Sequence, residues 1–561
     1  MKTTDIFSRA AVVLAAAAVG STVLVTCSGV PADLQDRQWM WLCAALLCAV
    51  PAWTAGFLRD PRTACRTLSG AAEWVLMSFG TAEALHGLGQ IAGVWPSNHS
   101  LFVLTGTFYN PGPYSGYLAA AVPIALHRML VTEGKSDRLS AVQHRLSVFV
   151  LLLTGCVLPA GMSRAAWIAS LVSCGYVVFR LYRVKVMTFV SAHRHAVWGV
   201  LAFSVLLAAG AYAMKRDSAD GRLLIWKVTA RAIAGNPWGE ENGRTFSALY
   251  GDAQERYFTD CEYSESEAWV AGTPDFAFNE YLQIAAEQGI AAAVAFVALL
   301  FFLLRVAGRD DRLAGLGGCL VSLAVFACFS YPIRIPAVVS AWALAGAALL
   351  LEGLAVMGRK ARSGAVLVAA AAAVAWTAAG YGRHSGRLQT VRGWMPVRAL
   401  YHSGAFGAAA DAYGKLYGRM SWNKDFCFEY GRALYRAGHH GKAEGVLLES
   451  LKVSGDPMIL NILGRNAQES GEYEKAERYL LRSTRRLPGR IYPHYLLVKL
   501  YAESECFDKV KLIREAEYVL NAEPKVNSTA IREMRQEVKG ILERQGITTG
   551  GSAVYRKTDK R

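Results

Sequence analysis

Residues 281–305 read YLQIAAEQGIAAAVAFVALLFFLLR, and this stretch decides the kind of fold. It is apolar over a length able to cross a bilayer, whose hydrocarbon core of roughly 30 Å takes about 20 helical residues. Comparable windows lie near 10–29, 38–58, 71–93, 114–131, 146–161, 164–182, 196–214, 313–332, 336–357 and 363–381. The chain is therefore expected to be all-α, with a polytopic membrane bundle of about eleven spans over residues 1–382. Composition agrees, because 53% of the 561 residues are hydrophobic and only 19% are charged, against roughly 25% charged in an ordinary soluble domain. A soluble one-domain enzyme is excluded. The window 71–93 carries Glu73, Glu83, His86 and Gln90. Such groups normally face a bundle interior, and here they predict a tilted or broken span.

Lys and Arg accumulate on the cytoplasmic side of short loops. With the N-terminus inside, the inner loops carry Arg59, Arg62 and Arg66, then Arg128, Lys135, Arg138 and Arg145, then Arg180, Arg183, Lys185 and Arg194, then Arg305, Arg309 and Arg312, then Arg359, Lys360 and Arg362. The outer loops before residue 215 hold only Arg37 and Arg164. An odd number of spans puts a large loop at 215–278 and everything after Arg383 on the outer side. Loops of that length are commonly functional. The apolar stretch Ala10–Val25 follows Lys2 and Arg9 like a signal peptide, but with so many spans behind it reads as an uncleaved first helix. The 11 cysteines include no CxxC pair and sit mostly in apolar runs, so neither a zinc site nor a disulfide framework is expected.

From about residue 400 the texture changes to amphipathic helices of ordinary polarity. Ala409, Ala443 and Ala476 recur at intervals of 34 and 33 residues, each followed four residues later by Tyr413, Leu447 or Leu480. Gly431 and Gly464 precede the last two alanines by 12 residues, and Pro488 closes the third unit. This pattern resembles tetratricopeptide helix pairs over 400–524, a soluble α-solenoid, with a plain helical bundle as the alternative. Residues 525–561 read as a helical end and a disordered basic tail, from about Gly546. From Arg383 onward the chain holds 31 Lys and Arg against 20 Asp and Glu, so most of the net charge of +16 belongs to this part.

Four clusters on the outer face carry candidate chemistry. The first is Thr105-Gly106-Thr107-Phe108-Tyr109-Asn110-Pro111-Gly112-Pro113-Tyr114, and the second is Gly161-Met162-Ser163-Arg164. The third opens the large loop with Asp220-Gly221-Arg222-Leu223-Leu224-Ile225-Trp226-Lys227, followed by Gly235-Asn236-Pro237-Trp238-Gly239 and Gly243-Arg244-Thr245-Phe246. The fourth is Phe278-Asn279-Glu280-Tyr281-Leu282-Gln283, leading to Glu287 and Gly289. In this order, over roughly residues 70–355, they resemble the O-antigen ligase and polymerase superfamily of bacterial envelope glycosyltransferases. Its pattern is a GTF-x-NP run, a short S-R turn, a G-R-x-x-x-W loop opening with N-P and G, and an H-N-E-x-L stretch. A repeat domain behind the membrane part also occurs in that family.

The resemblance implies a metal-independent and cofactor-free enzyme of the inner membrane, with the helical fold of lipid-dependent glycosyltransferases. The donor would be a glycan on undecaprenyl pyrophosphate, and the acceptor a hydroxyl of lipid A core, a growing glycan or a protein. Membrane lipid and a protein partner of the repeat domain are further expected contacts; nucleic acid is not. Arg164 and Arg222 suit a diphosphate leaving group, because a guanidinium keeps its charge and binds phosphate oxygens bidentately. Trp226, Arg244 and Asn110 complete the expected binding set. Where the family carries a histidine, this chain has Phe278, which transfers no proton. Glu280 is the first replacement base, beside Asn279, with Asp275 and His99 next. Plainer roles stand beside these: Arg164 as a headgroup anchor, Arg222 paired with Asp220 or Asp217, Asn110 as a turn residue, Trp226 and Trp238 as interfacial anchors, and Asn279-Glu280 as a helix cap. Polymerase, protein O-oligosaccharyltransferase and non-catalytic scaffold remain as alternative functions.

Overall fold

A computed structural model describes residues 3–24, 31–195, 198–199, 216–240 and 244–547. The expected seventh span lies almost wholly outside these residues, as do Cys27, Gly243 and most of the basic tail. The described residues are helical with no strand, and they divide into two compact units. The first comprises 1–213, 237–239 and 276–393, and the second 214–236, 240–275 and 394–561.

In the first unit, helices Asp33–Arg59, Arg138–Ala160, Arg164–Leu181, Ile290–Ala307, Pro336–Ala355 and part of Arg359–His402 are long and apolar enough to cross a membrane. Their outward residues are large and apolar: Leu152 is 66% exposed, Leu171 75% and Phe301 63%. Surfaces of that kind need lipid against them. The chain is an integral membrane protein.

The third window forms one unbroken helix, Pro61–Ile91, so the break that its polar residues allowed is absent. Those residues turn inward. Glu73, Glu83 and Gln90 are buried, and Glu73 is paired with Arg128 and lies 3.4 Å from His127 Nδ1. The ninth window shortens to helix Ala314–Ala327, between two 3-10 turns. Its 14 residues rise about 21 Å, and its glycines let neighbours close in. A Cβ on Gly318 would stand 2.7 Å from Pro123 Cβ, and one on Gly317 would stand 2.7 Å from the Tyr176 hydroxyl. Small residues at crossing points are how membrane helices gain packing contact. Helix Pro111–Thr132, with Tyr114, Tyr117 and Leu118 buried, lies against this helix in the core.

The second unit joins the large loop to the C-terminal helices. Residues 216–275 contain helices Arg216–Gly235, Phe246–Asp260 and Glu265–Val270. Behind them come consecutive helices from Phe406–Met420 to Thr529–Arg544, each lying on the next. The periodic residues do equivalent work here. Ala409, Ala443 and Ala476 are fully buried, with Tyr413, Leu447 and Leu480. A Cβ on Gly431 would stand 2.5 Å from Leu447 Cδ2, and one on Gly464 would stand 2.7 Å from Leu480 Cδ2. Each glycine thus makes room for the leucine of the following helix.

Candidate active site

Three of the four sequence clusters lie wholly in the first unit. Asn110 caps helix Pro111–Thr132, its side chain accepting from Gly112 N at 3.0 Å. The preceding turn is clamped by helix Pro61–Ile91. Gln90 Oε1 accepts from Thr105 N at 2.9 Å and Gly106 N at 2.7 Å, while Glu83 accepts from Thr107 Oγ1 at 2.5 Å and Thr107 N at 3.1 Å. Residues 83 and 90 lie two turns apart on one helix face. Gly106 adopts a φ of 58°, and a Cβ there would stand 2.4 Å from Glu83 Oε2, so only glycine fits the clamp. Neither Glu83 nor Gln90 was among the predicted site residues, although polar groups at positions 83 and 90 of an apolar window were the signal.

The second cluster seats on the first. A Cβ on Gly161 would stand 2.3 Å from Ser115 Oγ, so the turn leading to Arg164 sits against the start of helix Pro111–Thr132. Ser163 caps the next helix through Ala166 N, and Arg164 is its half-buried first residue. The fourth cluster ties in through Tyr281, whose hydroxyl donates to Ala324 O at 2.9 Å on the central helix Ala314–Ala327. That helix meets helix Pro111–Thr132, into which the first cluster leads, where Phe326 covers Gly116.

Around Glu280 the backbone is unusual. Phe278 has a φ of 51°, a region that side-chain-bearing residues seldom occupy and that recurs at functional sites. Its ring meets Tyr331 edge-on at 5.6 Å, and Phe276 stacks on the same ring at 4.2 Å. Asn279 accepts from Leu282 N at 3.1 Å, the helix-cap role anticipated as its plainer reading. Glu280 begins the short helix Glu280–Gln288, ahead of the membrane-crossing helix Ile290–Ala307, and is only 1% exposed. Burial pushes its carboxyl up to about 7, against the pull of the Arg334 guanidinium and of Ile333 N–H, while Glu287 pushes the same way as burial. Arg334 is paired with Glu287. It stands on a 3-10 turn, Pro332–Arg334, and its carbonyl accepts from Gln35 Nε2 at 2.9 Å. Arg334 was not anticipated; a cation bracketed by two prolines between apolar windows was its signal.

The third cluster divides. Pro237–Gly239 belongs to the first unit, where Pro237 O accepts from Ile290 N at 2.9 Å and Gly239 and Gly289 pack backbone to backbone. Trp238 is 80% exposed. Arg222 and Trp226 lie half-buried on helix Arg216–Gly235 of the second unit. Arg244 is paired with Asp252 and donates to Ala248 O at 3.3 Å. Asp275 is held by Lys424 Nζ at 2.6 Å, which leaves it poorly placed to act as a base. His99 accepts from Leu101 N at 3.0 Å through Nδ1 and packs against Phe102 and Tyr109.

Residues 149–297 match the model of a protein family described as O-antigen ligase. The match covers about a quarter of the chain and includes Arg164, Arg222, Trp226, Arg244, Asn279 and Glu280, leaving Asn110 outside. Over that stretch the chain is similar to O-antigen ligases. Comparison with curated proteins gives no match.

Proposed function

We propose that this protein is a glycosyltransferase of the bacterial inner membrane that moves a glycan from undecaprenyl pyrophosphate to an acceptor hydroxyl on the periplasmic face, in the manner of an O-antigen ligase. The observation that carries the reading is the family match, which runs through the turn before Arg164, the large loop with Arg222 and the helix start at Glu280. In the reaction, the acceptor oxygen forms a bond to the anomeric carbon of the donor sugar. The bond from that carbon to the diphosphate oxygen breaks, and the lipid diphosphate leaves with its electron pair. Glu280 takes the hydroxyl proton, a role that a carboxyl near 7 suits because it is half ionised at neutral pH and still basic. Arg164 and Arg222 neutralise charge on the diphosphate, where fixed cations stabilise a leaving group most. Trp226 offers a stacking face to sugar, and Asn110 and Asn279 hold the turns that bound the site. The C-terminal helices are tetratricopeptide-like repeats on the periplasmic side.

Transfer to lipid A core is the first expectation for the acceptor, with a growing glycan or a protein side chain next. A second reading, a scaffold without catalysis, rests on Phe278 at the family's histidine position. A deletion strain separates the two. Accumulation of undecaprenyl-linked glycan, relieved by the wild-type gene and not by the Arg222→Ala variant, is expected of the enzyme. Unchanged lipid-linked glycan would favour the scaffold.

A further inference from the structure

The large loop does not stand alone: it is fastened to the C-terminal helices at the beginning and middle of helix Phe246–Asp260 and again at the loop's exit. At the beginning, Thr245 Oγ1 donates to Val453 O at 2.8 Å and Gly455 N donates to Ser247 Oγ at 3.3 Å. Gly251 and Gly455 bring their backbones so close that a Cβ on Gly251 would stand 2.7 Å from Gly455 Cα. In the middle lies Arg486, with no side-chain exposure. It is paired with Asp252 and, at 3.0 Å, with Glu255, and Arg482 reaches Glu255 at 2.7 Å. Gln254 Nε2 donates to Arg486 O at 2.6 Å and to Gly272 O at 3.1 Å. At the exit, Lys525 donates to Ala271 O at 3.0 Å and Lys424 holds Asp275.

The same loop helix carries helix Arg216–Gly235. Lys227 and Arg231 lie over the Tyr257 ring at 5.0 and 5.1 Å, and Lys227 and the Tyr257 hydroxyl both bond Glu267, at 2.7 and 3.0 Å. Arg222 and Trp226 stand on that carried helix. A chain of contacts thus runs from the C-terminal helices through Arg486 and helix Phe246–Asp260 to Arg222, assigned to the donor diphosphate, and Trp226, assigned to its sugar.

We propose that the C-terminal helical unit is the foundation of the catalytic loop, and that Arg486 is a positioning residue for glycan transfer. It acts by holding Asp252 and Glu255, and with them the helix bearing Arg222. The proposal rests on the function given above only for its effect on transfer; the clamp itself is independent of it. Removing this fully buried guanidinium takes one of two cations from each carboxylate, since Asp252 keeps Arg244 and Glu255 keeps Arg482, and it empties the space that the side chain fills. Removing it shifts the loop towards an undocked state. Donor that binds only the docked state then shows a KM raised by the inverse of the docked fraction, while kcat returns at saturation. Plain loss of folded enzyme would lower kcat and leave KM alone.

The test uses the full chain in lipid nanodiscs, comparing wild type, Arg486→Ala, Arg486→Lys and, as a control outside the clamp, Arg485→Ala. Amide exchange over 246–260 is expected to quicken roughly tenfold to a hundredfold in Arg486→Ala. Arg486→Lys should fall between, since it keeps charge without the two-pronged grip, and Arg485→Ala should match wild type. If Arg486→Ala fails to insert, the double variant Asp252→Asn with Glu255→Gln opens the clamp from the loop side and should show the same quickening. The KM for undecaprenyl pyrophosphate-linked glycan should rise with the exchange rate. Unchanged exchange in the opened variants overturns the clamp, and quickened exchange with a lowered kcat at constant KM overturns the positioning role. Quickened exchange with no transfer by the wild type leaves the clamp standing and removes the proposed function.

Discussion

At Glu280 the decisive quantity is the state of one buried carboxyl. Its ionisation is held up to about 7 chiefly by burial, so the group gains base strength without losing all of its charged form at neutrality. Transfer should rise with pH through about 7 and level off above it, since the proton acceptor is the ionised form; a flat profile from 5.5 to 8.5 would contradict the role. Glu280→Gln should cut the rate roughly a hundredfold to ten-thousandfold with donor binding kept, which a transfer assay beside a donor-binding assay checks. Stability runs the other way. The folded state holds a proton that the unfolded chain releases near its ordinary value, so stability falls as pH rises from about 4.5 to about 7. For the arginines, Arg164→Ala and Arg222→Ala should each abolish transfer at normal membrane levels. Lysine should restore part of it, because an ammonium keeps the charge and loses the fork. Glu280 was legible from sequence as the acidic neighbour of Phe278. Arg334 was not, because its meaning lies in facing Glu280 across 54 residues of chain, which no local pattern records.

Elements show where windows of apolar residues succeed and where they blur. A hydropathy window sees composition, so 281–305 read as one span. The chain instead breaks at Gly289, whose φ of 90° and contact with Trp238 O tolerate no side chain. Gly289→Ala should therefore lower the melting temperature, with a backbone cost of about 1–3 kcal/mol before the clash is counted. The helix Pro61–Ile91 was visible as a span with polar interruptions. Their purpose as a clamp appears only when Thr105, Gly106 and Thr107 are found opposite Gln90 and Glu83. Gln90→Leu leaves the Thr105 and Gly106 N–H groups buried without an acceptor, at about 1–3 kcal/mol each, and thermal unfolding in detergent should register the loss. The core positions of the C-terminal helices, by contrast, were read directly: the small residues Ala409, Ala443 and Ala476 and the large ones four positions on recur at fixed spacing in the sequence, and all are buried.

On the scale of the whole molecule, the sequence separated a membrane part from a soluble tail and treated the large loop as an appendage of the former. The contacts that join loop to tail are made by residues such as Asp252 and Arg486, 234 positions apart, and leave no periodic trace. Their topological consequence is direct: segments hydrogen-bonded into one compact unit lie on one side of a bilayer, so residues 216–275 and the C-terminal helices are expected to share a side. Reporter fusions within 220–270 and after Gly382 should both report the periplasm, and fusions near 135, 188 and 309 the cytoplasm. A cytoplasmic signal from the tail would reverse the orientation and with it the enzyme class. The central claim is glycan transfer from a lipid diphosphate, and its most direct measurement is release of undecaprenyl pyrophosphate by purified protein given lipid-linked glycan and acceptor. Release that matches glycan joined to acceptor one for one, present in the wild type and lost in Arg222→Ala, is the predicted result. A wild type that binds the donor and releases no lipid diphosphate, while Phe278→His gains the reaction, would contradict it.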